Sequence, residues 1–284
     1  MKNTMKKPVA IPVEKLRPFD GHPFKVKDDV EMNTLIESIQ IQGILSPLIV
    51  RPIEDTDEYE VVSGHRRLHA AQKAGITEIP ALIYALDRDA AAIAVVDSNL
   101  HRDHILPSEK AFAYKLKRDA MAHQGRTSPQ LGEKSLTVEK IGAETGDSKN
   151  QVLRYIRLTH LIPELLDLMD EGKIALMVGE ALSYLGDEEQ YAVLEQCEIN
   201  DCTPSYAQAV EMKKRYQDEN LTAENISEIL SREKANQRET IKIPTEKLRK
   251  YAPNADAKQL EDFIIKACEH YRKFLIRQRN RDER

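Results

Sequence analysis

The chain has no tryptophan, five phenylalanines and 5% aromatic residues overall. A single large core built on aromatic side chains is therefore not expected, and 284 residues suffice for two or three modules. Cysteine is scarce. Cys197, Cys202 and Cys268 have neither ligand spacing nor supporting histidines, which argues against zinc and against a disulfide framework. Reduced, partly buried thiols in a cytoplasmic protein are the expectation. No apolar run approaches the length of a membrane span. The first seven residues are basic but lead into no apolar h-region, so no secretory signal is predicted. Internal repeats are absent, as is any clustered Asp/Glu/His set, and no metal site is predicted.

What is present is charge, at 31% of residues, with a formal net of −5. The total hides an asymmetry. Residues 98 to 160 hold eleven Lys/Arg against seven Asp/Glu, whereas residues 161 to 235 hold six against seventeen. The last fourteen hold six against two. A mildly basic module thus precedes an acidic one, and the chain ends in a basic helix. This pattern suits a nucleic-acid contact confined to one module.

Periodicity divides the chain in the same way. Residues 8 to 16 are apolar and broken by prolines, as in a short edge strand. A helical period over residues 30 to 42 ends at Gly43. Residues 46 to 51 and 58 to 63 predict a hairpin, 79 to 84 a further strand, and 90 to 100 the start of a helical region. From Leu106 onward nearly everything reads as helix, interrupted by a polar loop at 124 to 135. Residues 256 to 277 predict an amphipathic helix with Leu260, Phe263, Ile264, Ala267, Tyr271 and Leu275 on one stripe. The fold class is α+β: a small mixed α/β domain over 8–100, an all-α domain over 101–200 and a helical region over 201–284 suited to oligomerisation.

Two motifs carry chemistry. In the first, the run Tyr59-Glu60-Val61-Val62 leads through Ser63-Gly64 into His65-Arg66-Arg67-Leu68. Glycine at a strand-to-helix turn lets a ligand approach the backbone, and the amides that follow are free donors. Two arginines in a first helical turn oppose the helix dipole, unless an anion such as a nucleotide phosphate sits there. Solvated surface arginines are the bland alternative.

The second motif spans residues 136 to 158 and reads as a helix-turn-helix. Thr137 is the expected cap of its first helix, and Val138, Ile141 and Ala143 the packing face and neck. Gly146 stands at the sharp turn and Ser148 caps the second helix, with Val152, Tyr155 and Ile156 inward. Lys149, Asn150, Gln151, Arg154 and Arg157 face outward. Asn, Gln and Arg pair bidentately with base edges and lysine suits phosphate, so these residues with Ser148 form the expected contact to double-stranded DNA at a specific site. A solvated helical hairpin is the alternative.

Four segments in order resemble the ParB family of DNA partition proteins. Gly43-Ile44-Leu45-Ser46-Pro47-Leu48-Ile49-Val50 is similar to its first box. Gly64-His65-Arg66-Arg67-Leu68-His69-Ala70-Ala71 resembles its Gly-Glu-Arg-Arg box, and Ser98-Asn99-Leu100-His101-Arg102 its Glu-Asn-x-Gln-Arg box. Residues 136 to 172 resemble its central DNA-binding domain. The likeness covers roughly residues 8 to 185, most narrowly to members on plasmids and mobile elements.

The resemblance implies a ParB/sulfiredoxin-like N-terminal domain and a dimeric, CTP-dependent DNA clamp, with Mg2+ a candidate companion. It also implies a Walker-type ParA-like ATPase as partner and a DNA-associated location. Carried over, Gly64, His65, Arg66, Arg67, Asn99 and Arg102 form the nucleotide site. His65, Ser98 and His101 replace the family's Glu, Glu and Gln, so CTP hydrolysis is left open and no catalytic residue is assigned. His65 and His101 are read instead as phosphate donors with pH-dependent charge. Residues 242 to 284 do not match the family's dimerisation domain.

Rival readings remain. A helix-turn-helix transcription regulator without nucleotide switching keeps the DNA site alone. A ParB-fold kinase or nuclease needs a carboxylate near the phosphates, for which Glu60 is the nearest candidate in sequence. Sulfiredoxin chemistry needs a cysteine where Gly64 stands, so it is excluded.

Overall fold

The computed structural model describes residues 7–102, 104–124, 133–232, 245–253 and 256–282. The chain divides into two compact units, residues 1–232 and 233–284. Helices on both sides of residue 200 belong to the first unit. The reason is packing: Ala209, Met212, Ile226, Ile229 and Leu230 share one buried core with Leu158, Leu165, Leu182 and Val193.

The first unit begins with a mixed five-stranded sheet in the order β1-β5-β3-β4-β2. Its strands are β1 (Val9–Pro12), β2 (Leu16–Pro18), β3 (Leu48–Pro52), β4 (Tyr59–Ser63) and β5 (Glu78–Ile83). As the prolines foretell, β1 lies on an edge, antiparallel to β5. Strands β3 and β4 form the expected antiparallel hairpin. Leu48, Val50, Val61, Ile79 and Ala81 are fully buried in its core. Helices α1 (Val30–Gln42) and α2 (His65–Lys73) bury Met32, Ile39 and Ala70 together, and α3 (Arg88–Asp97) buries Ala91, Ala92 and Val95. Strand β2 pairs in parallel with β4, Leu16 opposite Tyr59 and Pro18 opposite Val61. That register lays the loop after β2 beside the turn after β4.

The helical part of this unit is built on α4 (Pro107–Gln124), which packs against α3 and against the helix-turn-helix pair α5 (Glu133–Thr145) and α6 (Lys149–Leu158). Tyr114 of α4 is fully buried, and its hydroxyl donates to Asp147 at 2.5 Å in the turn between α5 and α6. Five helices follow: α7 (Pro163–Asp170), α8 (Leu176–Leu182), α9 (Asp187–Ile199), α10 (Tyr206–Gln217) and α11 (Ala223–Ser231). The second unit contains α12 (Thr245–Arg249) and α13 (Ala257–Asp282), on which Tyr271, Phe274 and Leu275 are exposed. No helix among the described residues is long and apolar enough to cross a membrane.

Two details of the helix-turn-helix differ from expectation. Thr137 lies inside α5, which starts at Glu133, so it is not the cap. Ala143 is exposed, and the close approach is made by Gly142, where a Cβ would stand 2.5 Å from the Asp147 carbonyl oxygen.

Candidate functional site

Gly64 is the N-cap of α2, with φ +108°, a left-handed conformation that glycine tolerates. A Cβ there would lie 2.9 Å from Leu48 Cγ, so the turn has room for nothing larger. No side chain caps α2, and its first turn carries no acid, so its N-terminal amides are left for a ligand. Above them lies a cavity of about 280 Å³. Every residue of the expected nucleotide set lines it: Gly64, His65, Arg66, Arg67, Asn99 and Arg102. His101 is exposed and does not line it.

The arginines reach it from two elements and are held differently. Arg67 donates through Nη1 to the carbonyl oxygens of Ser46 and Pro47, tying the loop before β3 to α2. Burial lowers its pKa. Arg66 lies 3.4 Å from Glu31 and 3.6 Å from Asp29 at the start of α1. Arg102 stacks its guanidinium over Phe24 at 5.7 Å. Its outer edge is exposed, yet burial of the rest depresses its pKa, Glu109 opposes this and Arg66 adds to it. Asn99 is buried, its Nδ2 donating to Val95 O at 2.7 Å and to Ser98 Oγ at 3.1 Å. Like charges thus crowd a site whose lining contains no carboxylate.

His65 is buried, and its Nε2 accepts from the Phe19 amide at 3.2 Å. Burial first, then His22 and Arg102, push its pKa down to about 3, so at neutral pH it is an uncharged ring with its proton on Nδ1. The expected pH-dependent charge near neutrality is absent. The cavity also recruits residues that motif reading missed: His22, Phe24 and Lys25 from the loop after β2. The only hint of them in sequence is a histidine in a Gly-His-Pro-Phe turn, and only the β2–β4 pairing brings it to the site. Lys25 faces two ways: it lines the cavity, and its ammonium binds Asp167 at 3.0 Å and Asp170 at 3.1 Å.

The second candidate surface is α6. Ser148 caps it, accepting from the Gln151 amide at 3.2 Å, and Val152 and Ile156 are buried. Ser148 and Asn150 are exposed. Lys149 pairs with Glu139 at 2.9 Å, and Arg154 with Glu180 of α8 at 3.0 Å. Arg157 turns the other way. It donates to Ser183 O at 2.7 Å and stacks on Tyr184 at 4.1 Å, so it docks α6 onto the end of α8. Leu153, 43% exposed between Asn150 and Arg154, was not foreseen. Beside Arg154 runs a groove that Lys213, Lys214 and Gln217 of α10 continue.

Comparison with known proteins agrees in its outline. Residues 1–100 match the ParB N-terminal domain family. The chain is 34% identical to the chromosome-partitioning protein Spo0J of Thermus thermophilus over 183 residues, 64% of this chain and 62% of that protein. It is 30% identical to the probable chromosome 1-partitioning protein ParB of Deinococcus radiodurans, covering 72% and 66%. A nucleoid occlusion protein from a Geobacillus species is 31% identical over 66% and 61%. The chain thus spans somewhat under two thirds of the length of these relatives. Among solved structures, a C-terminally truncated ParB from Caulobacter crescentus complexed with CTP-gamma-S is 28% identical over 66% of this chain and 97% of that one, with a TM-score of 0.32.

Proposed function

Since the chain belongs to the ParB family, its first hundred residues being that family's N-terminal domain, we propose that it is a site-specific DNA-binding partition protein controlled by CTP. The observation that carries the nucleotide half is the convergence of Arg66, Arg67 and Arg102 on the uncapped N-terminus of α2. Guanidinium groups and free helix amides are what a triphosphate needs, and the burial that lowers Arg67 and Arg102 is offset by an anion. A cavity of about 280 Å³ lies near the lower end of small-ligand sites.

Mg2+ would enter with the phosphates, since the lining supplies no carboxylate to hold it. For the same reason the proposal covers binding and not hydrolysis. In the DNA half, Asn150, Gln151 and Arg154 read bases from α6, and Leu153 is placed to touch a thymine methyl. Lys149, with Lys213 and Lys214 along the groove, contacts phosphate. The family resemblance extends the reading to a homodimer, to a ParA-like ATPase as partner and to a DNA-associated location in the cytoplasm.

Calorimetric titration with CTP, and with ATP, GTP and UTP for comparison, tests the reading directly. Selective CTP binding is expected. Failure of all four, repeated with DNA bearing a site that the protein binds specifically, would leave a static helix-turn-helix regulator. That second reading has one observation in its favour, the commitment of Arg67 Nη1 to the Ser46 and Pro47 carbonyls.

A further inference from the structure

One buried side-chain polar atom among the described residues has no hydrogen-bond partner, and it belongs to the cavity: Nε2 of His22. The other ring nitrogen lies 2.9 Å from the Phe24 carbonyl oxygen. A carbonyl can only accept, so Nδ1 carries the proton and Nε2 presents a bare lone pair. The ring lies against that of His65, the first residue of α2, with 3.7 Å between centroids and a tilt of 34° between the planes. A buried, unpaired acceptor is costly, and most such atoms find a partner.

An acceptor lone pair is also the wrong group to meet phosphate oxygens, unless it gains a proton. The charges facing His22 favour that gain only when an anion is present. His65 of α2 is neutral and Arg102, after α3, is positive. Burial first, with Arg102 adding to it, lowers the His22 pKa, and the bond to Phe24 works against them. Arg66 lies on α2, and Lys25 follows in the same loop, its ammonium held by Asp167 and Asp170 of α7. Glu109 of α4 is engaged with the Lys25 and Leu106 amides at 2.8 and 3.1 Å. A polyphosphate would replace this net repulsion with attraction. His65 cannot take the proton instead, because its Nε2 already accepts from Phe19.

We propose that His22 is an anion-contacting residue of the cavity, its Nε2 protonated only when a phosphate group occupies the site, so that ligand binding takes up a proton. The inference rests on reading the cavity as a nucleotide site. It implies that affinity rises as pH falls, by up to about tenfold per pH unit for one linked proton.

The test is calorimetry of the full chain with CTP between pH 6 and pH 8, in buffers of different ionisation enthalpy. Inorganic tripolyphosphate serves as a second probe. Wild type is expected to take up more protons than His22→Gln, and the variant to lose the gain in affinity at low pH. Titration of the phosphate itself contributes equally to both proteins, so the difference is the readout. Equal uptake by both would overturn the proposal. In case the variant does not fold, histidine-ring NMR of the wild type should show one imidazole passing from neutral to cationic on saturation at pH 7. No such change with ligand bound would also overturn it. Tripolyphosphate binding with proton uptake, but no CTP binding, would uphold His22 while removing the nucleotide reading. Binding of neither probe would remove both.

Discussion

Arg67 and Arg102 at the cavity differ from Arg154 on α6 in what already holds them. At the cavity, Arg67 is bound to two backbone carbonyls and Arg102 lies over Phe24, fixed in place before any ligand arrives. On α6, Arg154 meets Glu180 at 3.0 Å, with side chains 39% and 24% exposed, a pair that solvent weakens and a phosphate or base can displace. The first arrangement leaves these side chains less freedom to rearrange. The second leaves the side chains to adapt to the surface they meet. Substitutions should therefore act sharply and locally at the cavity and more gradually along α6.

The largest effect is expected from Arg67→Ala. Loss of charge-assisted hydrogen bonds worth about 1.5–3 kcal/mol each should weaken CTP binding about a hundredfold or more in calorimetry. Gel-shift affinity for a specific DNA site, measured without nucleotide, should be unchanged. An equal loss in both assays would erase the contrast. Gly64→Ala should come next, through folding as well as binding. Its left-handed backbone and the 2.9 Å approach to Leu48 should cost about 1–3 kcal/mol in denaturant unfolding.

The pH profile sharpens the cavity side. The His65 pKa falls from an ordinary 6.5 to about 3 on folding. In that window the unfolded chain binds more protons than the native one, so stability is full above pH 6.5 and is lost as pH falls toward 3. The slope is about 1.4 kcal/mol per pH unit for one such group. Thermal unfolding of the ligand-free protein should show it between pH 7 and pH 5, and His65→Gln should flatten it.

On α6, Arg154→Ala should reduce specific DNA affinity about tenfold, consistent with about 1–3 kcal/mol for a bidentate base contact, and leave CTP titration alone. Lys214→Ala should have the smallest effect. It should weaken binding to all sequences alike and lower the salt-dependence slope by about one. Sequence preference altered by Lys214→Ala would place it on a base rather than a phosphate.

How far the chain could be read before folding follows the same division. Gly64 to Arg67 are contiguous, so the strand-to-helix turn and its arginines were legible, and the box from Ser98 to Arg102 was found by family likeness. His22, Phe24 and Lys25 were not, because they enter through the pairing of β2 with β4, some forty residues away in sequence. His65 was legible as a residue but not as a neutral one, since its burial beneath the loop after β2 is a tertiary fact. On α6 the cap and inward face were read from spacing. Arg157 shares the outward polar pattern, yet helical spacing could not say that Ser183 and Tyr184 would claim it. Thr137 failed as a cap because α5 begins a full turn earlier.

Lys117 of α4 has a side chain 3% exposed, and its ammonium donates both to Asp97 at the end of α3 and to Glu144 near the end of α5. Burial pulls its pKa down, but the two carboxylates more than offset this and leave it raised. Asp97 immediately precedes the Ser98-Asn99 edge of the cavity. If the α/β layer or the helix-turn-helix frays by itself, this buried cation loses half its compensation. In hydrogen exchange, the amides of α3, α4 and α5 should therefore open as one cooperative block.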